Sequence, residues 1–172
     1  MERQCQNAME LAIFLKEKML EQQGEEKLLH GASQKVVIQN VHYPGLKSHP
    51  QHSQAKKQMM NNMFEGMLSF EVGCPRKKVN HSASSVEEVN DMNGAMAVAG
   101  TIQLIKRATS LGGTETLIEH RASIEPEGRV VSAPGLLRVS VGLENINDLK
   151  NDLESALKIA NLVISRLEDE KK

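Results

Sequence analysis

The sequence predicts an α+β fold, with a small, mostly antiparallel sheet of about four strands and helices packed on one face. Two kinds of segment predict it. Short segments alternate apolar and polar residues, which is typical of strands with one buried face. Longer segments repeat apolar residues at steps of three and four, which is typical of amphipathic helices. The chain has 172 residues, which fits one domain with a core of its own.

The first two helices are expected in the N-terminal third of the chain. Residues 2 to about 20 form the first helix, because apolar residues recur there at helical spacing. Its predicted buried stripe consists of Cys5, Ala8, Leu11, Ala12, Leu15 and Met19. The second helix begins at Ser48-His49-Pro50, where proline suits a first turn, and ends near Met60.

Two further helices are expected in the C-terminal half. Ser84 or Ser85 caps the third, which runs to about Gly100. Its core-facing side is expected to include Val89, Met92, Met96 and Ala99. Asn145 or Asn147 caps the last helix. Its predicted buried stripe consists of Ile146, Leu149, Leu153, Ala156, Leu157, Ala160 and Val163.

The strand candidates are short and lie between these helices. They are residues 36–41, 66–72, 105–109, 116–119 and 136–142. In the last of them, Leu137, Val139 and Val141 are expected to face the core, while Arg138 and Ser140 point the other way. The segment ends at Gly142.

Composition excludes several classes of function. The formal net charge of −1 gives no reason to expect binding to nucleic acid or to an anionic membrane surface. No apolar run is long enough to span a bilayer. Cys5 and Cys74 lack the spacing of a disulfide framework, which favours a reducing, cytoplasmic location.

Arg138 is the first candidate for a functional side chain. A guanidinium in the middle of a strand is costly to bury unless an anion meets it, and its planar fork suits a carboxylate. That anion could be a ligand or one of the acidic side chains of this chain, and the residues alone leave both readings open. Arg138 stands near the end of its strand, a common place for ligands.

A glycine-containing loop and a group of histidines are the other candidates. In Ser110-Leu111-Gly112-Gly113, the paired glycines allow a tight turn that brings backbone amides near a ligand. His42, His49 and His52 raise the possibility of a metal site. Because no Cys, Asp or Glu stands beside them at ligand spacing, we expect no metal there.

Four ordered segments together resemble the Cys/Met-metabolism family of pyridoxal-phosphate enzymes, which includes the cystathionine γ-synthases, γ-lyases and β-lyases. These segments are Tyr43 to Lys56, Gly66 to Glu71, Ser110 to Leu117 and Leu136 to Glu144. A lone Ser-Leu-Gly-Gly would be weak, but four matches in order over most of the chain are specific. The resemblance covers only the family's C-terminal domain, so residues 1–172 are expected to form that substrate-carboxylate domain. Relative to the family, insertions are expected near residues 20–33 and 73–90.

The resemblance implies roles for two residues. The arginine at the position of Arg138 grips the substrate α-carboxylate, and the serine at the position of Ser110 holds the same end of the substrate. Thr109 precedes Ser110, and from that position we expect it to line the side-chain pocket. No catalytic residue, cofactor-binding residue or metal ligand is assigned within this chain.

The resemblance also implies a cofactor and partners that this chain does not itself supply. Pyridoxal phosphate is the family's cofactor, and its Schiff-base lysine and phosphate cradle lie in the larger domain. No lysine here stands in the family's Ser-x-Thr-Lys setting, so the chain is expected to be a fragment that binds no cofactor and is inactive alone. The implied partners are a sulfur-containing amino acid and a large domain or full-length family subunit, with homo-oligomeric assembly of the complete enzyme.

The sequence leaves the reaction and the enzymatic status open. It does not choose among β-elimination, γ-elimination and γ-replacement. The alternative is a non-catalytic truncated paralogue that acts as an interaction or regulatory module. A small metal-binding protein ranks last.

Overall fold

The computed structural model describes residues 1–28, 36–73, 84–126 and 128–169. The helices are α1 (Glu2–Leu28), α2 (His52–Gln58), α3 (Ser84–Thr101) and α4 (Ile146–Asp169), and a 3₁₀ turn covers Met60–Asn62. The strands are β1 (Val37–His42), β2 (Met67–Gly73), β3 (Lys106–Arg107), β4 (Leu117–His120) and β5 (Leu136–Ser140). The predicted α+β class is confirmed, with five strands where about four were expected.

The five strands form one sheet in the order β1-β2-β5-β4-β3. All neighbours run antiparallel except β3 and β4, which are parallel. Strand β5 occupies the centre, between β2 and β4. The C-terminal strand that carries Arg138 is therefore held by hydrogen-bonded ladders on both sides.

One face of the sheet forms the core. Leu68 and Phe70 of β2 lie opposite Val139 and Leu137 of β5, and Ile118 of β4 lies opposite Val139. All five side chains are buried. Helices α1 and α3 contact the strands, and α4 packs against both of them. Since alternate residues of a strand point to opposite faces, the other face is free to carry polar side chains.

Helix α1 is longer than predicted. Its apolar stripe is buried as expected, but the helix continues from residue 20 to Leu28 through the polar stretch that was expected to begin an insertion. Tertiary contacts explain the difference, because the Gln22 side chain accepts a 2.9 Å hydrogen bond from the Ile38 amide of β1. A glycine costs a helix only about 1 kcal/mol relative to alanine, so Gly24 does not end it.

Two details of the predicted core were wrong. Met92 and Met96 of α3 are exposed, and Ala95 and Val98 are buried instead, whereas the predicted Ala99 is buried as expected. Helix α3 lies between the sheet and α4, where small side chains allow close approach. In α4 the buried residue of the last turns is Ile164, whereas Val163 is exposed.

Several expectations concern segments near or beyond the described residues. Cys74 and the basic part of the predicted 73–90 insertion lie outside them, as do residues 29–35.

Helix α3 begins at Ser84, within the range expected for its cap. Asn145 caps α4, since its side-chain oxygen accepts a 2.9 Å hydrogen bond from the Asn147 amide. No helix within the described ranges is long and apolar enough to cross a membrane.

The connection into β2 contains strained backbone. Asn61, Asn62 and Glu65 have φ angles of 53°, 56° and 74°. Asparagine tolerates this left-handed region, but a glutamate there is under strain. The segment is fixed by the buried Tyr43, whose hydroxyl donates a 2.9 Å hydrogen bond to the Glu65 carbonyl. Burial raises the pKa of that hydroxyl far above its ordinary value, so it remains a donor.

We expect Glu65→Gly to stabilise the protein by about 1 kcal/mol, because glycine relieves the positive φ at the expense of a more flexible unfolded chain. The Tyr43 hydrogen bond is kept, since it uses the backbone carbonyl. Urea unfolding measures the change. Glu17→Gly, in the exposed middle of α1, is the matched control and should cost about 1 kcal/mol. Equal losses for both variants would contradict the assignment of strain to Glu65.

Candidate functional site

A row of polar residues crosses the face of the sheet opposite the core. His42 of β1, Ser69 of β2, Arg138 of β5 and Glu119 of β4 are direct neighbours in the strand register. Residues adjacent to them in sequence, such as Leu137 and Val139, point into the core. The register thus gathers polar groups from four strands on one surface, which we call the open face.

Arg138 is held on this face by one edge of its guanidinium. Its Nε lies 2.8 Å from Oε1 of Glu119, and its Nη2 donates a 2.7 Å hydrogen bond to the Thr109 carbonyl. The side chain keeps 21% of its surface exposed. A guanidinium has five N–H groups, and only Nε and one N–H of Nη2 are used, so Nη1, at the end of the fork, has no partner among the described residues.

Of the two readings that the sequence left open for Arg138, the structure shows the ion pair within the chain, and the ligand reading stays a prediction. The arginine does form an ion pair within the chain, with Glu119 as the acid. That pair uses the side edge of the guanidinium. The end of the fork remains available, and an end-on fork can hold a carboxylate with two parallel hydrogen bonds.

The structure brings the three predicted site residues together. Thr109 contacts Arg138 through its carbonyl, and Ser110 follows it in the chain. Both residues are exposed, and the Ser110 hydroxyl binds no other residue in the described part of the chain. The contact places this stretch at the edge of the open face, next to the guanidinium.

The loop that carries Ser110 is attached to the rest of the fold by three hydrogen bonds. The Gly112 amide donates to the Ser140 hydroxyl at 3.0 Å, and Gln4 of α1 donates to the Gly113 carbonyl at 2.8 Å. The Leu143 amide donates to the Thr114 carbonyl at 2.8 Å. These bonds fix the loop to the end of β5, and thereby fix Thr109 relative to Arg138.

A buried polar network lies beneath this loop. The carboxylate of Glu144 accepts hydrogen bonds from the Thr116 amide at 2.6 Å and the Thr116 hydroxyl at 2.7 Å. The same hydroxyl accepts from the Gly142 amide at 2.8 Å, and Asn7 donates to the Gly142 carbonyl at 3.1 Å. A Cβ on Gly142 would stand 2.4 Å from the Thr114 carbonyl oxygen, so only glycine allows this close approach.

Sequence reasoning missed Glu119 and Arg121. Glu119 is buried, and Oε1 also accepts a 2.9 Å contact from Nη1 of Arg121. This contact raises the pKa of Arg121. Arg121 Nη2 lies 3.7 Å from Glu125. The sequence does show an acidic residue, Glu119, in the strand that follows the loop. Its pairing with Arg138 depends on the register between β4 and β5, which the sequence does not give.

The histidines do not converge on one point. His42 Nε2 lies 2.6 Å from Glu71 Oε1, and His52 Nδ1 lies 2.8 Å from the Pro44 carbonyl oxygen. His49 Nδ1 accepts a 3.2 Å hydrogen bond from the Gln51 amide. Within the described ranges, no three His, Cys, Asp or Glu side chains form a group that could hold a metal ion.

A small cavity adjoins the loop and the end of β5. Its volume is about 170 Å³, and it lies between the start of β2 and the Ser-Leu-Gly-Gly loop. Its walls include Gln4, Met67, Leu111 and Ser140. Ser140, which lines the cavity, stands two residues beyond Arg138 on the same face of β5.

A family model for the Cys/Met metabolism PLP-dependent enzymes matches residues 1–158 of this chain. The chain belongs to this family. Cystathionine beta-lyase of Coxiella burnetii is 40% identical over 164 residues, which cover 91% of this chain and 33% of the relative. L-methionine gamma-lyase of Fusobacterium nucleatum subsp. polymorphum is 33% identical over 165 residues, with 92% and 33% covered.

Solved structures agree with the fold. MetB from Corynebacterium glutamicum superposes with a TM-score of 0.65 at 31% identity, over 92% of this chain and 33% of that chain. A putative O-acetylhomoserine (thiol)-lyase from Campylobacter jejuni, solved with N′-pyridoxyl-lysine-5′-monophosphate, gives a TM-score of 0.61 at 28% identity. This chain covers 28% of that structure. The chain spans about a third of the length of the curated relatives it matches.

The described residues of this chain do not fit the family's cofactor by themselves. Pyridoxal phosphate needs a lysine in a pocket and a cradle for its phosphate. The described lysines lie at the surface, and several are neutralised there, as Lys106 is by Glu115 and Lys150 by Glu10. The groups on the open face fit a carboxylate instead.

We expect Thr116→Val to destabilise the protein by about 2 kcal/mol, because it removes two buried hydrogen bonds and leaves the Gly142 amide without its acceptor. Urea unfolding tests this, with the exposed Thr114→Val as control, expected within about 0.5 kcal/mol of wild type. A similar loss in both variants would show that the network adds nothing specific.

We expect Glu125 to stabilise the fold at neutral pH and to lose this contribution in acid. Hydrogen bonds from the Ser132 hydroxyl, the Ser132 amide and the Val131 amide lower its pKa below the ordinary value of 4.5. A depressed folded-state pKa gives stability that is present above the unfolded value and disappears as pH falls through the folded value.

Urea unfolding between pH 6 and pH 3 measures this contribution. Glu125→Gln should lower stability at pH 6, and the gap to wild type should close below pH 4.5. Glu17→Gln, an exposed residue without a side-chain bond to another described residue, should track wild type throughout. A gap that stays constant with pH would contradict the linkage.

Proposed function

We propose that this chain forms the substrate-carboxylate wall of a pyridoxal-phosphate-dependent carbon–sulfur lyase or transferase of transsulfuration. Its substrate would be a sulfur-containing amino acid. The observation that carries the proposal is the guanidinium of Arg138, which is clamped by its side edge while the end of its fork stays unpartnered among the described residues. Membership of the family and the similarity to cystathionine and methionine lyases support the substrate class.

In this proposal Arg138 binds the α-carboxylate end-on, and Ser110 adds a hydroxyl to the same end of the substrate. Two parallel hydrogen bonds from a fixed fork orient an amino acid, which holds its Cα bonds in a defined direction. In the same proposal Thr109, whose carbonyl contacts Arg138, lines the pocket for the amino acid's side chain. The small cavity between Met67 and Leu111 offers apolar surface beside it.

The cofactor would come from a second domain. When bound, pyridoxal phosphate supplies the electron sink for breaking bonds at the amino acid's Cα and beyond. The proposal therefore concerns the chain in company with a cofactor-binding domain, provided by the same polypeptide or by a full-length family subunit in a homo-oligomer. A cytoplasmic location belongs to the same proposal, because the two cysteines lack the spacing of a disulfide framework.

A binding experiment on the chain tests the proposed role of Arg138. We expect L-methionine to shift backbone amide signals around residues 109–112 and 138–140 in ¹⁵N–¹H spectra over the millimolar range. L-methioninol, which lacks the carboxylate, should not shift them. Arg138→Lys keeps the charge but loses the fork, and should weaken binding by about tenfold.

Arg107→Lys is the matched control, because Arg107 is an exposed arginine of the same sheet. It should bind L-methionine as wild type does. Binding that survives Arg138→Ala unchanged would show that another cation holds the carboxylate, and would end this part of the proposal.

The alternative is a non-catalytic module that regulates or docks onto an intact family enzyme. It is favoured by the surface location of the described lysines, which leaves the cofactor to a partner. Sequencing the transcript upstream of Met1 separates the two. An in-frame segment with a lysine in the family setting supports the enzyme, whereas an in-frame stop supports the module.

A further inference from the structure

Glu119 binds its two arginines in an unusual way. Its side chain is 4% exposed, and both close contacts converge on Oε1, with Arg138 Nε at 2.8 Å and Arg121 Nη1 at 2.9 Å. The other oxygen, Oε2, is buried and has no hydrogen-bond partner in the part of the chain that the structure describes. Leaving a buried carboxylate oxygen unpaired is costly.

A pair arranged for stability alone would use both oxygens. Carboxylate and guanidinium form their strongest contact when two parallel N–H groups meet two oxygens. Here the Arg138 side edge is divided, with Nε on Glu119 and Nη2 on the Thr109 carbonyl. These two contacts fix the plane of the guanidinium at Nε and Nη2 and leave Nη1, at the end of the fork, without a partner among the described residues.

Arg121 joins this pair through the same carboxylate oxygen, so two guanidinium groups contact Oε1 of Glu119. Arg121 is also ion-paired with Glu125, whose carboxylate lies 3.7 Å from Nη2. Two acids therefore balance the two arginines, and the case for a ligand carboxylate rests on the N–H groups of Arg138 that have no partner among the described residues.

The geometry points to Glu119 as a positioning residue that aims the free end of the Arg138 guanidinium at a ligand carboxylate. This inference rests on the proposed function, since it assumes that Arg138 meets a carboxylate. Glu119 itself does not touch the ligand. It acts by holding the side edge of Arg138 in one orientation before the ligand arrives, which lowers the entropy lost on binding.

The inference makes a prediction opposite to that of simple charge cancellation. If Glu119 only neutralised Arg138, its removal would strengthen the binding of an anion. If it positions Arg138, its removal weakens binding. We expect Glu119→Ala to weaken L-methionine binding by about tenfold, and Glu119→Gln to recover much of it, because glutamine keeps an acceptor at Oε1.

A second readout follows Arg138 directly. Its Nε–H signal can be assigned from its absence in Arg138→Lys. The rate at which this hydrogen exchanges with water reports how firmly Glu119 holds it. Exchange should be slow in wild type, at least tenfold faster in Glu119→Ala and intermediate in Glu119→Gln. Glu71→Gln is the control, since Glu71 is a carboxylate of the open face that lies 2.6 Å from His42 Nε2, and it should leave both readouts within twofold of wild type.

The outcomes separate this inference from the proposed function. If the wild-type chain does not bind L-methionine, the proposed function is wrong, and the positioning role of Glu119 is wrong with it. Wild type that binds, with Glu119→Ala binding equally or more tightly, overturns the positioning role alone. Unchanged Nε–H exchange in Glu119→Ala also overturns it. Should Glu119→Ala fail to fold, Glu119→Gln decides, since only a positioning role predicts a measurable loss there together with faster exchange.

Discussion

The pairing of β5 with both β2 and β4 is the constraint on which the rest of the structure depends. Its inward side chains, Leu137 and Val139, meet apolar partners on the two neighbouring strands and form the centre of the core. A shift of register by one residue would bury Arg138 and expose these residues. Core burial therefore fixes the register, and the register in turn places Arg138 beside Glu119 on the open face.

Buried hydrogen bonds at the edge of the sheet hold the elements that border the open face. Thr116, Glu144 and Gly142 form a buried network that joins the start of β4 to the end of β5. Asn7 of α1 joins this network by donating a hydrogen bond to the Gly142 carbonyl. Such satisfied buried networks favour one arrangement over others, because any other arrangement leaves polar groups unpaired. The loop with Thr109 and Ser110 inherits its position from this network.

Local patterns predicted most of the elements and failed where tertiary contacts decided. The stripe of α1 and the alternation in β2 and β5 were correct, since each depends on the spacing of neighbouring residues. Helix α1 was predicted too short because the bond from Ile38 to Gln22 could not be seen in the sequence. Met92 and Met96 were assigned to the core because they are apolar, but the residues of α3 that are buried include Ala95, Val98 and Ala99.

The sequence by itself determined the class of fold, the family resemblance and the candidates Arg138, Ser110 and Thr109, because these depend on composition and short ordered motifs. Tertiary structure decided which acid meets Arg138, which edge of the guanidinium it uses and which edge remains free. The physical reason is that an ion pair between strands depends on register and on the position of a loop. Both are set by the packing of the whole core and by hydrogen bonds between residues far apart in the chain.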